Sequence, residues 1–396
     1  MVRLLVVALL LSACAPGAVA SPTPSASPIA TASATSSPTL SPSPTATLDC
    51  ATRTLATLSE PQRIGQLFLL GLAEDQLGPS EIAAIQTYRI GSVWFTEKSV
   101  AGVAAVRRVA DAVQALAGPE TTANVGFFVA ANQEGGIIQS LGGPGFAPIP
   151  SALDQSAIDP NTLRIQANLW TADLTRAGVN LNFAPVLDVV PPGTDAQNEP
   201  IGVLKRGYGH DPATVSTHAL AFFRAMDASG IVTTGKHFPG LGRVKGNTDF
   251  TSAVVDDVTT TTDPSIGPFR DAIAAGMPMI MVALATYQKI DPTKLAVFSP
   301  IVMRTLLREQ LGFTGVVVSD DLGATAAVEN IAPADRAIDF LVAGGDMIIS
   351  KTVAPANAMA AAIAARASTD AAFRSRVEDA ALRVLRLKAA RGLVRC

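Results

Sequence analysis

Short apolar runs alternate along the chain with longer stretches whose apolar residues recur at helical spacing. Runs rich in Val, Ile, Leu and Phe lie at 66–71, 89–95, 125–131, 179–189, 231–236, 279–285, 315–320 and 345–350. They are nearly continuous in apolar character, as strands must be when a parallel sheet is covered on both faces. Between them, 100–117, 161–177, 211–228, 266–275 and 299–311 read as amphipathic helices. Gly178, Gly230, Gly276 and Gly312 supply stops, because glycine accepts the left-handed backbone that ends a helix. The Ala/Arg-rich stretch 354–393 predicts a long helical tail packed across the rest.

Eight such repeats in residues 49–396 predict an α/β fold, a single (β/α)8 TIM-type barrel with a C-terminal helical extension and no second globular domain. An open doubly wound sheet would want a phosphate-binding glycine turn after its first strand, and GLAEDQLG at 71–78 is a poor match. Such a barrel carries its chemistry at the carboxyl ends of its strands. Those positions hold Asn132-Gln133-Glu134 after the third strand, Asp188 after the fourth, Lys236-His237 after the fifth and Ser319-Asp320-Asp321 after the seventh. Carboxylates with one Lys and one His suit polar-ligand binding, with sugar cleavage as the leading class. The Pro and Gly residues of KHFPGLGRVKGNTDF (236–250) exclude a helix or a central strand, so this segment reads as a loop gathering Lys236, His237 and Asp249.

The ends of the chain bear on where it works. MVRLLVVALLLSAC has one positive charge, Arg3, before an apolar run too short to span a bilayer, which is signal-peptide anatomy. Leu11-Ser12-Ala13-Cys14 resembles the bacterial lipobox. Residues 1–14 are therefore expected to be a lipoprotein signal with Cys14 as the lipid-modified residue, giving an extracytoplasmic protein anchored to the bacterial cell membrane. Residues 15–48 contain no charged residue and consist mainly of Ala, Ser, Thr and Pro, the composition of a disordered tether. Cys50 and Cys396 are expected to bond in an oxidising compartment and to join the two ends of the domain. With three His and no closely spaced Cys/His pairs, no transition-metal site is expected. A formal net charge of −3 without a basic cluster argues against nucleic acid. No cofactor is called for, and a monomer is expected.

The segments QEGG (133–136), GPGFAPIPSA (143–152), NFAPVLDV (182–189), KHFPG (236–240), FSP (298–300) and GFTGVVVSDDLG (312–323) together resemble glycoside hydrolase family 3. The resemblance is to its single-domain β-N-acetylglucosaminidase (β-N-acetylhexosaminidase) branch and covers nearly all of residues 50–396. It implies a (β/α)8 barrel and removal of terminal β-linked N-acetylhexosamine, often from peptidoglycan fragments, by a retaining mechanism without a cofactor. On this resemblance Asp320 is the nucleophile that forms a covalent glycosyl-enzyme, with Asp321 as its structural partner. Lys236 and His237 match a pair that hydrogen-bonds sugar hydroxyls, and Arg206 matches an arginine that grips the sugar. Glu134 orients the loop glycines, pairs with a cation or touches the ligand itself, and with Asn132 it joins Lys236, His237 and Arg206 as a candidate substrate-binding residue.

The chain also departs from the family pattern. After KHFPG the family continues to an acid/base His; an ungapped alignment puts Leu241 at a first His, Asn247 and Thr248 at the Asp and Ser that follow, and Asp249 at the catalytic His. Asn132 stands where the family has a sugar-binding Asp, Ile137 where it has an Arg, and Leu284 at a position often occupied by His. Two readings follow. Either Asp249 replaces the His as proton donor, its pKa raised by burial or by Asp320, or the loop is idle and the protein is a catalytically impaired glycan-binding lipoprotein.

Overall fold

The computed structural model describes residues 49–395. The expected signal, Cys14 and the tether lie outside these residues, as does Cys396. Cys50 is disulfide-bonded; its pairing with Cys396 stays an expectation.

Eight parallel strands close into a barrel in sequence order. They are β1 (Phe68–Leu72), β2 (Ser92–Phe95), β3 (Phe128–Ala131), β4 (Leu181–Asn182), β5 (Val232–Phe238), β6 (Met279–Val282), β7 (Val316–Asp321) and β8 (Met347–Ser350). All eight predicted runs supply one strand each. Side chains of alternate strand positions fill the inside, among them Leu69, Phe128, Leu181, Met279, Val318 and Met347. The other faces pack outward on the helices in a second, larger core. Because both faces are covered, the apolar-in/polar-out alternation of a half-exposed sheet is missing from the sequence.

Three boundaries differ from expectation for identifiable reasons. The run 179–189 yields a regular strand of only two residues, because Pro185 has no N–H to give a neighbour. The path continues irregularly, tied to β5 by Thr234 N to Ala184 O (2.9 Å) and Leu187 N to Lys236 O (2.6 Å). Conversely, the segment starting at Lys236 is not loop throughout: β5 runs to Phe238, and the chain turns only at Pro239-Gly240. The helical tail is two elements. Helix Val353–Thr369 follows β8 and packs on helices Pro333–Ala343 and Pro79–Tyr88, so it completes the ring around the barrel. Asp370 then accepts from Phe373 N and starts helix Ala371–Ala390. That last helix closes the amino end of the barrel, with Val384 in the inner core and Leu387 and Leu393 against it.

The four predicted glycine stops all have positive φ, between 70° at Gly312 and 89° at Gly276. Helix Ile301–Gln310 has π-type bonding, ending with Leu311 N to Leu306 O at 3.0 Å.

Candidate active site

At the carboxyl end of the barrel a cavity of about 440 Å³ is lined by Asn132, Arg206, Lys236, His237, Asp249, Asp320 and Asp321, with Trp94, Phe183, Met281 and Ile349 among its apolar walls. Strand ends and the loops beyond them deliver every one of these side chains, as the barrel geometry requires.

Gln133-Glu134-Gly135-Gly136 leads the chain from β3 into a small hairpin, Gln133–Gly135 with Ile138–Gln139. Asn182 on β4 clamps its start, accepting from Gln133 N at 2.9 Å and donating to Gln133 O at 3.1 Å. Gly135 and Gly136 have φ of +116° and +57°. A Cβ at Gly135 would lie 2.1 Å from Pro150 O, so both the backbone angle and the space demand glycine there. This turn aims Glu134 inward under the cavity.

Glu134 is the anion of a buried three-membered ion cluster. Its Oε1 is 2.6 Å from Lys236 Nζ, while Arg206 grips both carboxylate oxygens, each at 2.8 Å. Burial opposes ionisation of Glu134, but Arg206 and Lys236 outweigh it and hold the carboxyl at about 2. For Arg206 burial is likewise overcome, by Glu134, and its pKa is raised. Lys236, 2 % exposed, shares that one carboxylate with a second cation. Burial therefore lowers its pKa despite Glu134. Its other acceptor is neutral, Asn132 Oδ1 at 2.8 Å. The resemblance gave Arg206 a grip on the sugar and left Glu134 open between roles; the structure puts Arg206 at the cavity wall and Glu134 beneath, as the partner of both cations.

Asp188, fully buried, sets His237. Its Oδ2 lies 2.8 Å from His237 Nδ1, and its Oδ1 accepts from His237 N (3.1 Å) and Leu241 N (2.8 Å). With Nδ1–H donating to Asp188, Nε2 is free to accept from Arg206 Nη2 at 3.3 Å. The strand-end rule singled out Asp188 without a role; its role here is to orient His237 and the turn after it.

Asp320, the penultimate residue of β7, lines the cavity. Its Oδ1 accepts from Asp321 N at 2.9 Å, and among the described residues it forms no ion pair. Asp321 points the other way: its Oδ1 takes Gly323 N (2.7 Å) and Lys351 N (2.8 Å), and its Oδ2 takes Ala324 N (3.2 Å). Burial pushes Asp321 up to about 6, against the pull of those N–H donors. One of the pair is thus presented to a ligand and the other fixes the loop.

Asp249 reaches the same cavity from the loop after β5. Ala326 N and Ala327 N bond Asp249 O (3.2 Å) and Thr248 O (3.1 Å), tying this loop to the one after β7. Asn247 N bonds Glu199 Oε2 at 3.1 Å, and Asn198 Nδ2 bonds Leu241 O and Val244 O, tying it to the loop after β4. The Asp249 carboxyl makes no hydrogen bond to the described residues. Enclosure in the cleft and then the Asp320 carboxylate raise its pKa, although the residue itself is open to solvent.

The remaining departures fall differently. Ile137 is exposed at the hairpin turn and is not in the cavity wall, whereas Ile138 is. Leu284 is buried in the outer core. Sequence reasoning missed the apolar wall: Trp94 and Phe183 meet edge to face at 5.9 Å. Trp94 lies next to last in the second apolar run, near enough to the strand end for the strand-end rule to have found it. It also missed Lys351, at the end of β8 and 3.3 Å from Glu97.

The sequence profile of the glycosyl hydrolase family 3 N-terminal domain matches residues 61–387. A β-hexosaminidase of Xanthomonas euvesicatoria pv. vesicatoria is 31% identical over 292 residues, covering 72% of this chain and 83% of that protein. β-Hexosaminidases of Vibrio cholerae are 36% identical over 224 residues; the match covers 56% of this chain and spans 64% of the length of those relatives. Among solved structures, a β-N-acetylhexosaminidase from Beutenbergia cavernae superposes with a TM-score of 0.83 at 47% identity, covering 84% of this chain and 99% of the other.

Proposed function

The chain belongs to glycosyl hydrolase family 3, and from that membership we propose that it is a retaining β-N-acetylhexosaminidase, with Asp320 as nucleophile and Asp249 as acid/base. The carrying observation is the Asp320 carboxylate, unpaired among the described residues at the wall of a polar cavity whose nearby cations are held by Glu134. A carboxylate already engaged in an ion pair would have to break it before attacking.

In the first step an Asp320 oxygen bonds to the anomeric carbon as the glycosidic C–O bond breaks, and Asp249 gives its proton to the leaving oxygen. In the second, Asp249 takes a proton from water, whose oxygen bonds to the same carbon and frees Asp320. The raised pKa of Asp249 supports this role, because an acid must keep its proton until the leaving group needs it. The anchoring of its loop to two neighbours supports a fixed rather than a wandering donor. Lys236, Arg206, His237 and Asn132 form the polar wall for sugar hydroxyls, and the Trp94–Phe183 pair an apolar face for the ring. The names of the relatives, β-hexosaminidase and β-N-acetylhexosaminidase, support N-acetylhexosamine as the sugar; its release as a terminal β-linked residue from cell-wall glycans is part of this proposal. The lipobox reading of Cys14 supports work outside the cytoplasm by a lipid-anchored protein, proposed here to be a monomer.

The test is hydrolysis of aryl β-N-acetylhexosaminides by the wild type and by Asp320→Ala. Release by the former and its loss in the latter are expected. Activity that survives Asp320→Ala would remove the nucleophile, and absence of release from an aryl panel alongside glycan binding would make the protein a binding module.

A further inference from the structure

At the opposite, amino end of the barrel, the entry turns of β6 and β7 meet helix Ala371–Ala390 around a second cavity of about 690 Å³. Its walls include Gly276, Thr314 and Gly315 from the turns, Arg308 from the helix before β7, and Arg383 and Arg386 from the last helix. Behind it lies Asp346, fully buried at the entry of β8.

Asp346 gathers three arginines. Its Oδ2 takes Arg308 Nη2 (2.6 Å) and Val317 N (2.9 Å), and its Oδ1 takes Arg376 Nη2 (3.0 Å) and Arg383 Nη1 (3.2 Å). Two oxygens with four donors are at the capacity of a carboxylate. One negative charge thus faces three positive ones. The crowding is felt: burial, only partly relieved by Asp346, and the neighbouring Arg383 and Arg376 lower the Arg308 pKa.

Arg308 Nη1 donates to both Phe313 O (3.0 Å) and Gly315 O (2.6 Å), so with Nη2 on Asp346 most of this guanidinium is spent on the fold. Arg383 and Arg386 are not. Beyond Asp346, Arg383 makes one long bond to Asp379 O at 3.4 Å. Arg386, 56 % exposed, touches Asp49 with a single Nη2 at 3.1 Å. Both side chains line the cavity, and their remaining N–H donors have no hydrogen-bond acceptor among the described residues. Arginine forks left in this state match the oxygens of a phosphate-type anion.

We infer that this basal cavity is a binding site for a phosphate-type oxyanion, held by Arg383 and Arg386, separate from the glycan site at the barrel mouth. The ligand is either free inorganic phosphate or the phosphodiester of an anionic lipid headgroup; both present the same oxygens. The site does not depend on the hydrolase assignment.

The probe is thermal melting of the full chain at pH 7 with inorganic phosphate against chloride at matched ionic strength, together with sedimentation on phosphatidylglycerol or phosphatidylcholine vesicles. A bound anion raises the melting temperature by about 2 °C when present well above its Kd. The wild type is expected to show that rise, or to sediment with phosphatidylglycerol but not phosphatidylcholine vesicles and be released by phosphate. Either result supports the site and names its source. Arg386→Gln, whose side chain is exposed, and Thr314→Glu, which puts a carboxylate into the cavity from an exposed turn, should each weaken the response at least ten-fold while melting as the wild type does in chloride. No response in the wild type on either arm, or an undiminished response in both variants, overturns the inference.

Discussion

Asp249 and Asp320 line one cavity, from the loop after β5 and from the end of β7, and enclosure in the cleft together with the negative charge of Asp320 raises the pKa of Asp249. Two carboxyls whose environments separate their protonation are what acid/base and nucleophile roles need. On this arrangement Asp249→Asn spares aryl glycosides with nitrophenol leaving groups, which need little protonation, and slows natural glycans by about 100-fold or more. Equal losses on both would remove Asp249 from proton transfer. In the wild type, kcat/KM should fall on the alkaline side as Asp249 loses its proton, and the Asp249→Asn profile should lack that limb.

Glu134 ties two cations that would otherwise be buried without an anion. Glu134→Gln should destabilise the protein by roughly 3–5 kcal/mol, the usual cost of breaking a buried pair, read as a shift in the denaturant midpoint. Its folded pKa of about 2 lies below the ordinary 4.5. The stabilisation is therefore complete above pH 4.5 and is lost as pH falls toward 2, so the acid-unfolding curve of Glu134→Gln should be shallower over that window. An unchanged curve would contradict the cluster's weight.

Lys388 is buried at the base of the barrel, donating to Gln66 Oε1 (2.7 Å) and Gly91 O (2.8 Å), with no carboxylate beside it among the described residues. Burial lowers its pKa from 10.5 to about 7. Below pH 7 both folded and unfolded chains hold this proton, and the folded state bears the full cost of the buried charge. Between pH 7 and 10.5 the unfolded chain alone keeps it, so stability rises with pH by several kcal/mol. Above pH 10 the trend reverses, since buried Tyr208 and Tyr287 resist the ionisation that tyrosines of the unfolded chain undergo. Melting temperature against pH should therefore peak on the alkaline side, and Lys388→Met should flatten the rising limb; a rise of the same size in that variant would assign it to other groups.

Much of this architecture could be read along the chain. Strands buried on both faces are written as continuous apolar runs, which is why all eight were found. Helices Pro79–Tyr88 and Pro333–Ala343 were not anticipated; the former has little amphipathic contrast, with Ala, Ile and Thr around most of its surface. The polar side chains at strand ends were found by position. What they do was not, because roles depend on partners distant in sequence: Glu134 meets Arg206 across 72 positions and Lys236 meets Asn132 across 104. Trp94 was hidden for the opposite reason, since an aromatic residue in an apolar run looks like core until the cavity above it is seen.

The most direct test is covalent trapping. An activated fluorosugar analogue of a β-N-acetylhexosaminide should slow the second step and leave the sugar attached to the enzyme, and peptide mass spectrometry should place it on Asp320 within Val316–Asp321. An adduct on any other residue, or steady turnover with no adduct and inverted anomeric configuration in the product, would contradict the account.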